Sequence, residues 1–168
     1  MVILGLGSNL NNKESYLRQA IDLLSINVLS NIVLSPCYTS PALLPDNAPQ
    51  DWDMPFLNMA IAGTTEFSPE ALLSAIKQIE QTLGRQTRPV WAPREIDIDI
   101  LAYDQLVLDT AQIQIPHKSL HLRPFAIFPL ADIAPDWIHP VLHQTAKALA
   151  EILIPADHGA TFRTDTIL

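Results

Sequence analysis

The chain has 168 residues, of which 48% are hydrophobic and 17% charged, with a net charge of −8 at pH 7. That length suits one domain with a packed core and excludes a disordered chain, while the acidic balance argues against a general polyanion binder. A single cysteine, Cys37, excludes an internal disulfide framework or a cysteine-built metal site, and no apolar run reaches the roughly 18 residues that cross a bilayer. The N-terminus carries no basic leader, so a cytoplasmic, single-domain protein is expected.

Val2 to Leu6 is an apolar run ending in Gly7-Ser8-Asn9, the pattern of a buried strand and a turn. Leu17, Ala20, Ile21 and Leu24 recur at helical spacing over residues 13–25, and residues 31–38 read as a strand closed near Pro36. Five prolines (Pro36, Pro41, Pro45, Pro49, Pro55) crowd residues 36–55. A long loop without periodicity, 39–55, is therefore expected, of the kind that often carries function.

Phe56 to Gly63 resumes a strand. Ser68-Pro69-Glu70 then supplies an N-cap hydroxyl, a first-turn proline and an early acid, a strong helix start. Leu72, Leu73, Ile76, Ile79 and Leu83 form its buried stripe and Gly84 its end. Residues 85–94 form a second irregular loop, with Arg85, Arg88, Arg94 and Trp91. Glu95 to Leu101 alternates strictly, Ile113 and Ile115 suggest a short strand, and Gln144 to Leu153 a C-terminal helix. The order predicts an α+β sandwich of ferredoxin-like type, with helices on one face of an antiparallel sheet.

The chemistry concentrates in Ile96-Asp97-Ile98-Asp99-Ile100. A strand sends the isoleucines to one face and both aspartates to the other, their Cα atoms about 6.6 Å apart. Two readings stand: a solvated acidic face, or a divalent-cation site, for which Mg²⁺ is the natural guest because it takes oxygen ligands. Asp is disfavoured in strands and like charges repel, which favours the second. Three of the six arginines lie in the preceding loop. Cations beside a carboxylate pair suit phosphoryl transfer, which needs charge stabilisation more than covalent help.

Trp91, Phe56 and Phe125 can wall a flat aromatic ligand or pack in the core. Asn58, inside an apolar strand, suits a heterocycle edge, having a donor and an acceptor together; a buried structural amide is the alternative. His117, after Pro116, can touch phosphate or carry a proton. His121, His139, His143 and His158 read as surface or structural, and Cys37 as a buried hydrophobe. Glu80, in the last turn of its helix near the arginine loop, can orient that loop or stand solvated, and the second reading is favoured. Gly5-Leu6-Gly7-Ser8 has neither P-loop nor dinucleotide spacing.

Together these segments resemble the 6-hydroxymethyl-7,8-dihydropterin pyrophosphokinase family of folate biosynthesis. The resemblance begins at Gly5-Leu6-Gly7-Ser8-Asn9-Leu10 and reaches about Pro135. Its most specific piece runs from Arg85 through Trp91-Ala92-Pro93-Arg94-Glu95-Ile96-Asp97-Ile98-Asp99-Ile100-Leu101. Ser35 to Pro41, Phe56-Leu57-Asn58, Pro116-His117 and Arg123-Pro124-Phe125 support it.

The resemblance implies a single catalytic domain over residues 1–168 that passes pyrophosphate from MgATP to the pterin hydroxymethyl group, releasing AMP. It implies two Mg²⁺ ions on Asp97 and Asp99, with catalytic arginines at Arg85 and Arg94. His117, Arg123 and Arg88 fall on the nucleotide side. Ser40, Pro41, Leu43, Phe56, Asn58, Trp91 and Phe125 fall on the pterin side. A cytoplasmic monomer without a membrane partner is expected, and nucleic-acid binding fits poorly with a charge of −8.

The sequence departs from the family pattern at Thr87 and Val90, where arginines are usual, with Arg88 one residue off register. A metal-dependent phosphodiesterase would use similar carboxylate logic but normally wants more ligands. A non-catalytic ferredoxin-like module leaves the arginines and the Asp pair unexplained.

Overall fold

The computed structural model describes residues 1–164. Twelve elements follow in order: β1 (Val2–Ser8), α1 (Lys13–Asn27), β2 (Ser30–Leu34), β3 (Tyr38–Ser40), β4 (Phe56–Thr64), α2 (Pro69–Thr82), β5 (Asp97–Tyr103), β6 (Leu108–Asp109), β7 (Gln114–Ile115), α3 (Pro124–Ile133), α4 (Ala146–Asp157) and β8 (Phe162–Arg163). The main sheet runs β5-β1-β4-β3-β8, with β2 also on β4, and its strand pairs are all antiparallel. β1 and β4 at the centre, each chain half contributing a strand–helix unit, is the ferredoxin-like arrangement.

The predicted α1 and α2 form with the signals read from sequence. Asn12 caps α1 by accepting the Ser15 N–H at 3.2 Å. Ser68 caps α2 by accepting the Ala71 N–H at 3.3 Å, and Gly84 ends that region at φ +86°. Leu17, Ala20 and Leu24 of α1, with Leu72, Ile76 and Ile79 of α2, pack on Leu4, Leu6, Met59, Ile61, Ile98 and Ile100. Burying an isoleucine of β5 on this face is worth roughly 1.5–3 kcal/mol. A one-residue slip would bring Asp97 and Asp99 into that core, so the burial fixes their direction.

The second face of the sheet is covered as well, where helices on one face only were expected. Ile3, Ala60, Ala62, Leu101 and Ala102 pack against Ala126, Ile127 and Leu130 of α3 and Leu149 of α4. The prolines hide α3 in the sequence. Pro124 occupies its first turn, where no N–H is needed, and Pro129 sits within the helix. α4 begins two residues later than expected, capped by Thr145, and runs to Asp157.

The expected strand over 31–38 divides into β2 and β3. Pro36 lacks a donor for the ladder, and Ser35 turns its hydroxyl to accept the Ala60 N–H at 2.9 Å. The long loop starts only after Ser40 and contains one helical turn, Gln50–Trp52. β7 pairs with β6 in a separate ribbon. β5 starts at Asp97 and continues to Tyr103, with a bulge against β1. Leu4 faces Ile100 and Ile3 faces Ala102, leaving Leu101 as the extra residue. No helix among the described residues is long and apolar enough to cross a membrane.

Candidate active site

α3 and α4 cover only one half of their sheet face. Over the other half the edge strand β5 and the central strands β1 and β4 meet in register. Asn58 of β4 faces Gly7 of β1, and Gly7 faces Asp97 of β5; in the next row Gly5 faces Asp99. A cavity of about 460 Å³ opens on this row, within the usual range for small-molecule sites.

The glycines make its floor. A Cβ on Gly7 would stand 2.9 Å from the Asn58 Oδ1, closer than real Cβ contacts allow, and one on Gly5 would meet Leu101 at 3.2 Å. Their signal in the sequence is the period-2 spacing that puts both on one face of β1, opposite Leu4 and Leu6.

At one end of the cavity stand the charges. Arg85 Nη1 lies 2.8 Å from one oxygen of Asp97, and Arg94 Nη1 donates to the other at 3.2 Å. Asp97 is thus bracketed by the two arginines singled out in the sequence. Asp99 has no ion pair among the described residues. Burial, and then the neighbouring Asp97 charge, push its carboxyl up to about 6. Lys77 and Arg123 pull the other way, more weakly.

His117 also lines the cavity, beside Arg123 and Lys118. Burial first, and then the Arg123 and Lys118 charges, push its imidazole down to about 4, so it is neutral at pH 7. Its Nδ1 accepts the Ser119 N–H at 3.2 Å, which leaves the proton on Nε2 as a donor. The Arg123 guanidinium sits 5.7 Å from the centre of the Phe125 ring.

The other end is built for a flat polar ring. The Asn58 Nδ2 donates to the Ser40 hydroxyl at 3.0 Å, which donates onward to the Pro41 carbonyl at 3.3 Å. Phe56, Phe125, Trp91, Pro41 and Leu43 line the surroundings. Every site residue named from the sequence therefore meets in this one cavity except Arg88, which is not among its lining residues.

For Glu80 the structure supports the loop-orienting reading over the favoured solvated one. The side chain is 2% exposed. One oxygen accepts both Arg85 and the Ile98 N–H, the latter at 2.9 Å, and the other accepts Lys77 at 2.9 Å. Glu80 thereby ties the arginine that faces Asp97 to the backbone of β5. Its position next to Ile79 in the apolar stripe of α2 was the available signal. Asn9 is also buried. It accepts the Arg94 N–H at 2.8 Å and donates to the Met54 carbonyl at 3.2 Å, joining the two long loops.

Cys37 is 1% exposed, and burial pushes its thiol up to about 11, which leaves no reactive thiolate. His139 is buried and accepts backbone N–H groups of Val141 and Leu142, a structural role.

Among known proteins, the profile of the 7,8-dihydro-6-hydroxymethylpterin-pyrophosphokinase (HPPK) family matches residues 3–135. The 2-amino-4-hydroxy-6-hydroxymethyldihydropteridine pyrophosphokinase of Aquifex aeolicus is 39% identical over 146 residues, 87% of this chain and 88% of that protein. The Bacillus subtilis protein of the same name is 38% identical over 132 residues, 77% of this chain and 75% of its own. The folate synthesis bifunctional protein of Chlamydia caviae is 38% identical over 154 residues, 90% of this chain but only 34% of the longer protein.

A solved structure of Plasmodium falciparum HPPK-DHPS with pterin and p-hydrobenzoate superposes with a TM-score of 0.72 at 17% identity. It covers 96% of this chain and 47% of that one, a likeness of fold. With a profile match over most of its length and relatives of similar size, the chain belongs to the 7,8-dihydro-6-hydroxymethylpterin pyrophosphokinase family.

Proposed function

We propose that the chain catalyses pyrophosphoryl transfer from ATP to 6-hydroxymethyl-7,8-dihydropterin, a step of folate biosynthesis. The observation that carries the reading is the Asp97 carboxylate held between Arg85 and Arg94 at one end of a cavity whose other end is the Asn58–Ser40 pair. The hydroxymethyl oxygen attacks the β-phosphorus, the bond from that phosphorus to the α–β bridging oxygen breaks, and AMP leaves with the oxygen. The hydroxyl proton passes to water as the new ester forms.

Asn58 reads the pterin edge with its amide, the Ser40 hydroxyl orients that amide, and Phe56, Phe125 and Trp91 enclose the ring. Arg85 and Arg94 turn from Asp97 to the transferring phosphates and stabilise the charge that develops there. The neutral His117 offers its Nε2 hydrogen to a phosphate oxygen, and Arg123 supplies a fixed positive charge at the nucleotide end. Glu80 keeps Arg85 aimed.

The donor set fits Mg²⁺. Asp97 and Asp99 are hard oxygen donors on one strand face, and both line the cavity beside Arg85 and Arg94. No cluster of three or more His, Cys, Asp or Glu side chains occurs among the described residues. That suits a cation completed by phosphate oxygens and water rather than by a protein cage. Asp97 and Asp99 would hold the ion, which would supply Lewis-acid neutralisation of phosphate charge.

The test is phosphorus NMR of the protein mixed with MgATP and 6-hydroxymethyl-7,8-dihydropterin. AMP together with a pterin diphosphate is the expected outcome. ADP with a pterin monophosphate would replace the reading with an ordinary kinase. No turnover, and no thermal shift from Mg²⁺ with a non-hydrolysable ATP analogue, would refute it in favour of a non-catalytic module.

A further inference from the structure

Arg88 is a cation of the arginine loop that does not line the cavity. It folds back along its own loop. Its Nη2 donates to Glu95 Oε1 at 2.6 Å and its Nη1 to Glu95 Oε2 at 2.7 Å, a two-pronged pair. The same Nη1 donates to the Pro93 carbonyl at 3.1 Å, and Nη2 to the Gln86 side chain at 3.3 Å. Glu95 is 7% exposed and stands two residues before Asp97.

The pair therefore closes a ring around residues 89–94. Inside that ring Trp91 takes a φ of +74°, a left-handed conformation that a bulky side chain adopts only when its surroundings hold it there. The Ala92 N–H reaches the Pro89 carbonyl at 3.2 Å, and Arg94 points to Asp97. A surface ion pair would do little here. A nearly buried carboxylate with a planar partner is different, because removing either takes both charge-assisted hydrogen bonds of the fork from the other.

We propose that Arg88 is a positioning residue: through Glu95 it braces the arginine loop, so that Trp91 and Arg94 face the cavity. Arg88 itself does not contact ATP. The effect on turnover rests on the pyrophosphoryl-transfer reading; the brace does not.

Two measurements test it. The first is hydrogen exchange of the free wild-type chain, Arg88→Met and Glu95→Gln, which needs no substrate. Amides of residues 86–96 are expected to exchange at least about tenfold faster in both variants, with the core strands unchanged. Unchanged exchange in either variant overturns the brace.

The second is steady-state kinetics of both variants, their double and Arg88→Lys. Each single substitution is expected to lower kcat about tenfold with KM for ATP within about twofold, and the double to be no worse than either single. Arg88→Lys, which keeps the charge but not the fork, is expected to behave like Arg88→Met. A large rise in KM for ATP in Arg88→Met, with Glu95→Gln silent and Arg88→Lys near wild type, overturns the proposal and makes Arg88 a phosphate ligand. A wild-type chain without turnover would count against the functional reading and leave the exchange result standing.

Discussion

Asp99→Asn is expected to make the free protein more stable while abolishing its proposed activity. The Asp99 carboxyl is raised from 3.8 to about 6, first by burial and then by the Asp97 charge. A raised carboxyl favours the fold while protonated. That contribution is complete below 3.8 and is lost as pH rises through about 6. At pH 7.5 the ionised group opposes folding. A shift of this size corresponds to about 3 kcal/mol, and water in the open cavity screens it to roughly 1–2 kcal/mol.

Asparagine keeps the shape and removes the charge. In a domain of this size the gain corresponds to a Tm higher by about 2–8 °C. The assay is thermal unfolding of both proteins in EDTA from pH 4 to pH 7.5. The variant's advantage is expected at pH 7.5 and should shrink toward zero near pH 4. Adding Mg²⁺ with a non-hydrolysable ATP analogue is expected to raise the Tm of the wild type and not of the variant. A variant less stable than wild type at pH 7.5, or an advantage unchanged at pH 4, would refute the reasoning.

Glu80→Gln leaves Lys77 without its anion and Arg85 with Asp97 alone, and is expected to cost about 1–3 kcal/mol in urea unfolding, with a loss of kcat. Gly7→Ala pushes on the Asn58 oxygen from 2.9 Å and is expected to raise KM for the pterin about tenfold, with the Tm little changed; an unaltered KM would remove Asn58 from pterin recognition. Arg94→Ala is expected to lower kcat far more than it raises KM for ATP, since its work is on transition-state charge. The lowered His117 imidazole stabilises the fold above its ordinary value of 6.5, an effect lost as pH falls through about 4. His117→Asn is therefore expected to flatten stability between those pH values, as followed by urea unfolding.

The sequence carried the site best where chemistry coincided with a period. Asp97 and Asp99 alternate with three isoleucines, so their common face was readable before any fold was known. Arg85, Arg94 and Asn58 were legible from residue type in an unusual place: cations beside acids, an amide in an apolar strand. Glu80 was legible only as the less favoured of two readings, because a glutamate in a helix is normally solvated. Its burial depends on donors from Lys77, Arg85 and the Ile98 N–H, and two of these lie outside its helix. The Arg88–Glu95 pair lies across seven residues of irregular chain, where no periodicity announces a contact. The second helical layer was obscured by Pro124 and Pro129, which read as breaks although the helix accommodates both.

The extra residue at Leu101 divides β5 into two reading frames. Up to Ile100, even-numbered side chains belong to the core under α1 and α2, and Asp97 and Asp99 belong to the cavity. Past the irregularity the parity is exchanged: Ala102 joins the core beneath α3 and α4, and Tyr103 packs with the opposite one. One strand thus serves an acidic site and an aliphatic core without either dictating the other's phase. Removing that single residue would leave the composition almost untouched, yet the two ends could no longer both be satisfied. Either the aspartates or the aliphatic tail of the strand would have to face the wrong way.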